Sequence, residues 1–122
     1  MAKRIDPVEG RGAVIEVLEG TASSDSTAMA VRYLLQVLAD RAEGNTVEVR
    51  VPPFGAVQAI QGPRHTRGTP PNVIEMDADT WVLLATGALT WSAAVAAGRV
   101  SASGQRADLT HELPLPWETM EG

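Results

Sequence analysis

The stretch "TVEVRVPPFGAVQAIQ", residues 46–61, decides how this chain folds. Before it, apolar residues recur at helical spacing. Within it the period drops to two. Val47, Val49 and Val51 point one way, and Thr46, Glu48 and Arg50 point the other. Such alternation predicts a half-buried strand. Pro52-Pro53-Phe54-Gly55 cannot continue a central strand and reads as a turn. Residues 56–61 read as the return strand, with Val57 and Ala59 set against Ala56 and Ile60.

Upstream lies the clearest helical signal. Val31, Leu34, Leu35 and Leu38 fall at i, i+3, i+4 and i+7, with Arg32, Gln36 and Asp40 opposite. Ser24, Asp25 or Ser26 can cap this helix, and Gly44-Asn45 ends it. Further upstream, Asp6-Pro7 reads as a helix start, an acceptor followed by proline at the first helical position. Val14, Val17 and Leu18 share a face of that first helix, and Gly20 stops it. Gly10 and Gly12 weaken its opening turns.

Downstream, "NVIEM" (72–76) is a third strand. Asp77 then caps a helix with Trp81, Leu84 and Ala85 on one face, stopped by Gly87. Thr90 caps a second short helix that ends at Gly98. "RVSAS" (99–103) is a last strand, closed by Gly104. Leu109 and Leu113 predict a short final helix before Pro114 and Pro116. The order is α, α, β, β, β, α, α, β, α. Segregated runs of this kind imply an α+β fold, an antiparallel sheet with helices packed on one face. The last strand, arriving after two helices, pairs either in parallel or at an edge. We expect a single domain over residues 1–122. Its parts are an N-terminal helix at about 6–20, a core at about 24–113 and a flexible tail at 114–122.

At 122 residues one domain with one core is the expectation. The net charge of −5 disfavours nucleic-acid binding, which needs a basic face. The absence of cysteine excludes disulfides, thiolate catalysis and iron–sulfur clusters. The chain starts without the apolar stretch of a secretory signal, and no segment approaches the length of a membrane span. The expectation is a soluble cytoplasmic protein without stable membrane insertion. Oligomeric state is not legible.

From Asn72 onward, "NVIEMDADTWVLLATGALTWSAAVAAGRVSASGQRADL" resembles the C-terminal half of the sterol carrier protein type-two family. Asp77, Trp81, Leu84, Ala85, Gly87, Ala94, Gly98, Arg99, Val100 and Gly104 carry the resemblance, and the upstream helix and hairpin fit the same order. "VEVRVPPFGAVQ" and "RHTRGTPPNV" look like signatures of a bacterial, mostly actinobacterial, branch. The resemblance covers roughly residues 27 to 113. It implies a sheet of about five strands with helices on one face, and an apolar tunnel between them for sterols, fatty acyl chains or other lipids. It implies no catalytic residue and no cofactor. Residues 62–71 have no counterpart in the eukaryotic carriers.

Chemistry-bearing residues are few. "GPRHTRGTPPNVIE" (62–75) holds Arg64, His65 and Arg67, which can converge on a carboxylate or phosphate head group at a tunnel mouth. They can equally pair with Glu48 or Glu75, with His65 satisfying backbone carbonyls. An enzyme built on this loop is the alternative reading, and a ligand-free accessory or interaction domain is another. His65 and His111 are too far apart in sequence, and too few, for a metal site. Asp77-Ala78-Asp79 is explained by helix capping. Phosphate-loop, dinucleotide and G-x-S-x-G fingerprints are absent. Val31, Leu35, Leu38, Val49, Val57, Ile74, Trp81, Leu84, Val95 and Leu109 can line a cavity or form the core. The expected partner is a hydrophobic small molecule bound without catalysis.

Overall fold

The structure is a computed structural model that describes residues 3–62 and 72–118. The helices are α1 (Pro7–Glu19), α2 (Ser24–Arg41), α3 (Ala78–Thr86) and α4 (Trp91–Ala96). The strands are β1 (Val47–Val51), β2 (Gly55–Ala59), β3 (Asn72–Met76) and β4 (Val100–Ser103). Among the described residues the sheet has four strands, in the order β2-β1-β3-β4. The expected strand count of about five is corrected to four among the described residues, and the sheet, though largely antiparallel, is mixed. β1 pairs antiparallel with β2, and β3 pairs antiparallel with β4, but the central pair β1–β3 is parallel. A local alternation pattern sets a strand's faces, not its partner, so the parallel pairing was invisible in sequence.

Register puts Val57, Val49, Ile74 and Ala102 in one row across the sheet, and Ala56, Arg50, Glu75 and Ser101 in the next. The first row includes the fully buried Val49 and Ile74. The second is exposed. One face therefore carries the core and the other is polar, as the alternation predicts. Thr46 departs from it. It was expected beside Glu48 and Arg50 but is buried, and its carbonyl accepts from Nδ2 of the buried Asn72 (3.0 Å). Oδ1 of Asn72 accepts from the Arg106 N–H (2.8 Å), so one amide joins the starts of β1 and β3 to the loop after β4.

Capping chemistry defines the helices. Asp6 accepts from the Val8 and Glu9 N–H groups, and Gly20 ends α1 at φ 77°. The buried face of α1 is Gly10, Ala13 and Val14, with Val17 half-buried; Leu18, expected on this face, is exposed. Ser23 caps α2 by accepting from the Ser26 N–H (3.0 Å), one residue before the run of Ser24, Asp25 and Ser26. α2 ends at Arg41, short of Gly44-Asn45. The expected final helix is absent. Leu109 is buried in turn structure, and Leu113 donates back to the Leu109 carbonyl (3.2 Å) without a helix forming. Pro114 and Pro116 leave too few residues for helical hydrogen bonds to propagate. In the stretch read as a tail, Leu115 and Trp117 are buried, and the Leu115 N–H donates to the Ala85 carbonyl (2.9 Å).

Asp77 caps α3, accepting from the Thr80 N–H (2.8 Å). That bond, the Thr80 hydroxyl and the charge of Arg99 hold the carboxyl below its ordinary 3.8. A depressed folded-state value stabilises the fold above the unfolded value and is lost as pH falls through the folded one. Asn caps as well as Asp without a titrating charge. Asp77→Asn should therefore cost under about 1 kcal/mol at neutral pH, and the gap to wild type should close as the pH drops below the ordinary carboxylate range. Urea midpoints of the two proteins measured across that range check it; a gap that widens with acid contradicts the cap's role.

Candidate functional site

Seven of the ten apolar candidates, Val31, Leu38, Val49, Ile74, Trp81, Leu84 and Leu109, are fully buried in one core cluster. Leu35 belongs to the same cluster and Val57 packs against it half-buried. Val95 is apart from them, 48% exposed on α4. Among the described residues these side chains make up the core beneath the helices, Trp81 being the largest of those wholly buried. Its indole N–H donates to the Val31 carbonyl (3.3 Å), across from α3 to α2.

Open space lies at the edge of that layer. α2 runs beside β2, which is an outer strand of the sheet, and residues 3–5 pass along the same side of α2. Together they bound a groove of about 770 Å³. Its apolar lining includes Ile5, Ala28, Met29, Leu35, Phe54 and Val57. Lys3, Arg4 and Arg32 also border it, against Asp25. Leu35 and Val57 are the two sequence candidates that reach it. Two smaller depressions, of about 310 and 330 Å³, lie beside α4 and at the start of β4.

The groove's walls are fastened by one stripe of α2. Arg32, Gln36 and Asp40 follow one another at i, i+4 and i+8. The Arg32 Nε–H donates to the Phe54 carbonyl (2.8 Å), tying α2 to the β1–β2 turn. Gln36 meets the Ile5 backbone twice. Its Oε1 accepts from the Ile5 N–H (2.9 Å), and its Nε2 donates to the Ile5 carbonyl (3.1 Å). Arg4 forms an ion pair with Asp40, whose hydrogen bond keeps the guanidinium pKa above its ordinary value. The sequence set this stripe opposite the buried face of α2, and each member has a specific partner.

Arg64, His65 and Arg67 lie outside the described residues. Of the strand carboxylates, Glu48 is paired with Arg50 (3.1 Å), and Glu75 stands opposite Arg50 in register. A cation between two carboxylates suits an exposed ion-pair ladder better than an acid/base pair. Asp108 is held below its ordinary value by the Thr110 hydroxyl and N–H, with the charge of His111 adding to this. Among the described residues, no three His, Cys, Asp or Glu side chains cluster so as to hold a metal ion. No described helix is long and apolar enough to cross a membrane.

A groove with an apolar lining and cationic groups at its border can remove a hydrocarbon chain from water while leaving a polar end at the surface. Compared with known protein families, residues 23–115 match the model of one described as "Bacterial SCP ortholog", where SCP denotes sterol carrier protein. Lys3–Ile5 and α1 precede the matched region. Among curated proteins no sequence matches the chain.

Proposed function

The chain belongs to that family of bacterial sterol-carrier-protein orthologs, and from this premise we propose that it binds or transfers an apolar or amphipathic small molecule, of lipid or fatty acyl type, without catalysis. The single observation that carries the reading is the groove between residues 3–5, α2 and β2. Its volume falls in the range of about 300–1,000 Å³ common to small-molecule sites. The driving force is burial, about 0.8 kcal/mol for each methylene taken out of water. Arg32, steadied by the Phe54 carbonyl, and Lys3 suit the polar end of an amphiphile at the groove's border. No bond is made or broken.

Extraction of the purified protein with organic solvent, followed by mass spectrometry, should recover a lipid or acyl compound. Titration with the fluorescent acyl probe cis-parinaric acid should show saturable binding. Ala28→Trp places an indole in the groove from a half-buried position on α2. We expect it to weaken probe binding by at least about tenfold while thermal stability changes little, as for most substitutions at the surface. Undiminished binding by this variant would remove the groove from consideration as the site.

One observation favours a second reading, a module that docks on another protein. Val8 is 62% exposed, and Ile15 and Leu18 on the same helix are also exposed. Under the first reading, replacing Ile15 by Glu leaves probe binding unaltered, because α1 does not line the groove.

A further inference from the structure

We propose that Lys3–Ile5 is a clasp closing the groove over its ligand, with Gln36 as the residue that positions it. The inference rests on the groove being the ligand site. The segment belongs to no helix or strand, so its course along α2 is set by specific contacts rather than by a hydrogen-bonded ladder. Gln36 provides two of these contacts and Asp40 a third. All three residues of the segment line the groove, and so does Gln36. Ile5 also packs against the core, so the clasp has an apolar seat as well as a polar latch.

The latch is built to open. Its ion pair is solvent-exposed and its Gln36 bonds are only part-buried, so water can take over each partner when the segment lifts. The far wall differs. β2 is paired along its length with β1, and Arg32 pins the turn to α2. At its downstream end the clasp is held by Asp6, the cap of α1. Lifting of residues 3–5 about this point opens the groove and leaves the sheet and helices undisturbed.

The test is the release rate of cis-parinaric acid by stopped-flow fluorescence, with thermal stability measured on the same proteins. Gln36→Leu removes both bonds to Ile5 and leaves a shorter, apolar side chain; release should quicken about tenfold. Arg4→Glu replaces an exposed side chain and turns the ion pair into a repulsion, so it probes the clasp even where Gln36→Leu folds poorly. Release should quicken about threefold, and the charge swap Arg4→Glu with Asp40→Arg should return it to the wild-type rate. A purely structural role for the pair does not predict that reversal in a release rate. If wild type binds the probe and both single variants release it at the wild-type rate, the clasp is overturned while the groove stands. If wild type does not bind the probe, the clasp falls together with the reading beneath it.

Discussion

Trp81→Ala should lower the unfolding free energy by about 3–5 kcal/mol, the largest effect expected of any single substitution here. Trp81 is fully buried, and it is the largest of the wholly buried side chains. It sits on α3, which packs on both α1 and α2, and its N–H donates to the Val31 carbonyl. Truncation loses the transfer free energy of the indole and leaves a cavity between elements held apart by the surrounding packing. For a domain of this length the melting temperature should drop on the order of 15 °C. Trp81→Phe should cost less, since it keeps most of the packing and loses the hydrogen bond. Calorimetry of the two variants checks this order. A loss under about 1 kcal/mol for the alanine variant would mean that the core can close over the site, contrary to the burial described.

Gly10→Ala should destabilise by about 2–3 kcal/mol, although helix propensity favours alanine by about 1 kcal/mol. A Cβ at Gly10 would lie 2.3 Å from Cγ and Cδ1 of Tyr33. Tyr33 is 4% exposed, so its ring has little room to yield. Either α1 moves off α2 or the ring leaves its position, and both disturb the packing of Gly10 against Tyr33. Tyr33→Leu should recover part of the loss in a double-mutant cycle, because the two sites meet directly. Denaturant unfolding of the four proteins gives the coupling. Stabilisation by Gly10→Ala would show that propensity outweighs the overlap.

Gly10 also shows where sequence reading ends. Propensity marks it as a weak point in α1, but the structure uses its missing side chain as a socket for an aromatic ring. Features fixed by neighbours in sequence were legible. Asp6, Asp77 and Thr90 cap the helices assigned to them, and Gly20 and Gly87 stop theirs in the left-handed region. The run of acceptors around Ser23 hid the true cap of α2, since adjacent residues offer the same chemistry. The alternation of β1 was legible as well, with Val47, Val49 and Val51 on the buried face. Partners remote in sequence were not. The parallel β1–β3 pair depends on how elements meet.

The same division applies to the groove. Leu35 and Val57 were identifiable as apolar residues on a helix and a strand. Ile5, Met29 and Phe54 come from three separate segments and share no local pattern. The available signal was the polar stripe of Arg32, Gln36 and Asp40, whose spacing sets its members on one line of α2. A stripe of that kind reads as a solvated face until the tertiary fold supplies its partners.

The parallel central pair governs how a nascent chain must assemble. β2 follows β1 at once and can zip onto it while synthesis continues. The opposite margin of β1 stays bare until Asn72 and the residues after it arrive. During that interval Val47, Val49 and Val51 are offered to any other extended chain nearby, and Glu48 and Arg50 are the gatekeepers that discourage a stranger from docking. Asn72 ends the interval where β3 meets β1, its amide Nδ2 donating to the Thr46 carbonyl, and its Oδ1 later takes the Arg106 N–H from the loop after β4.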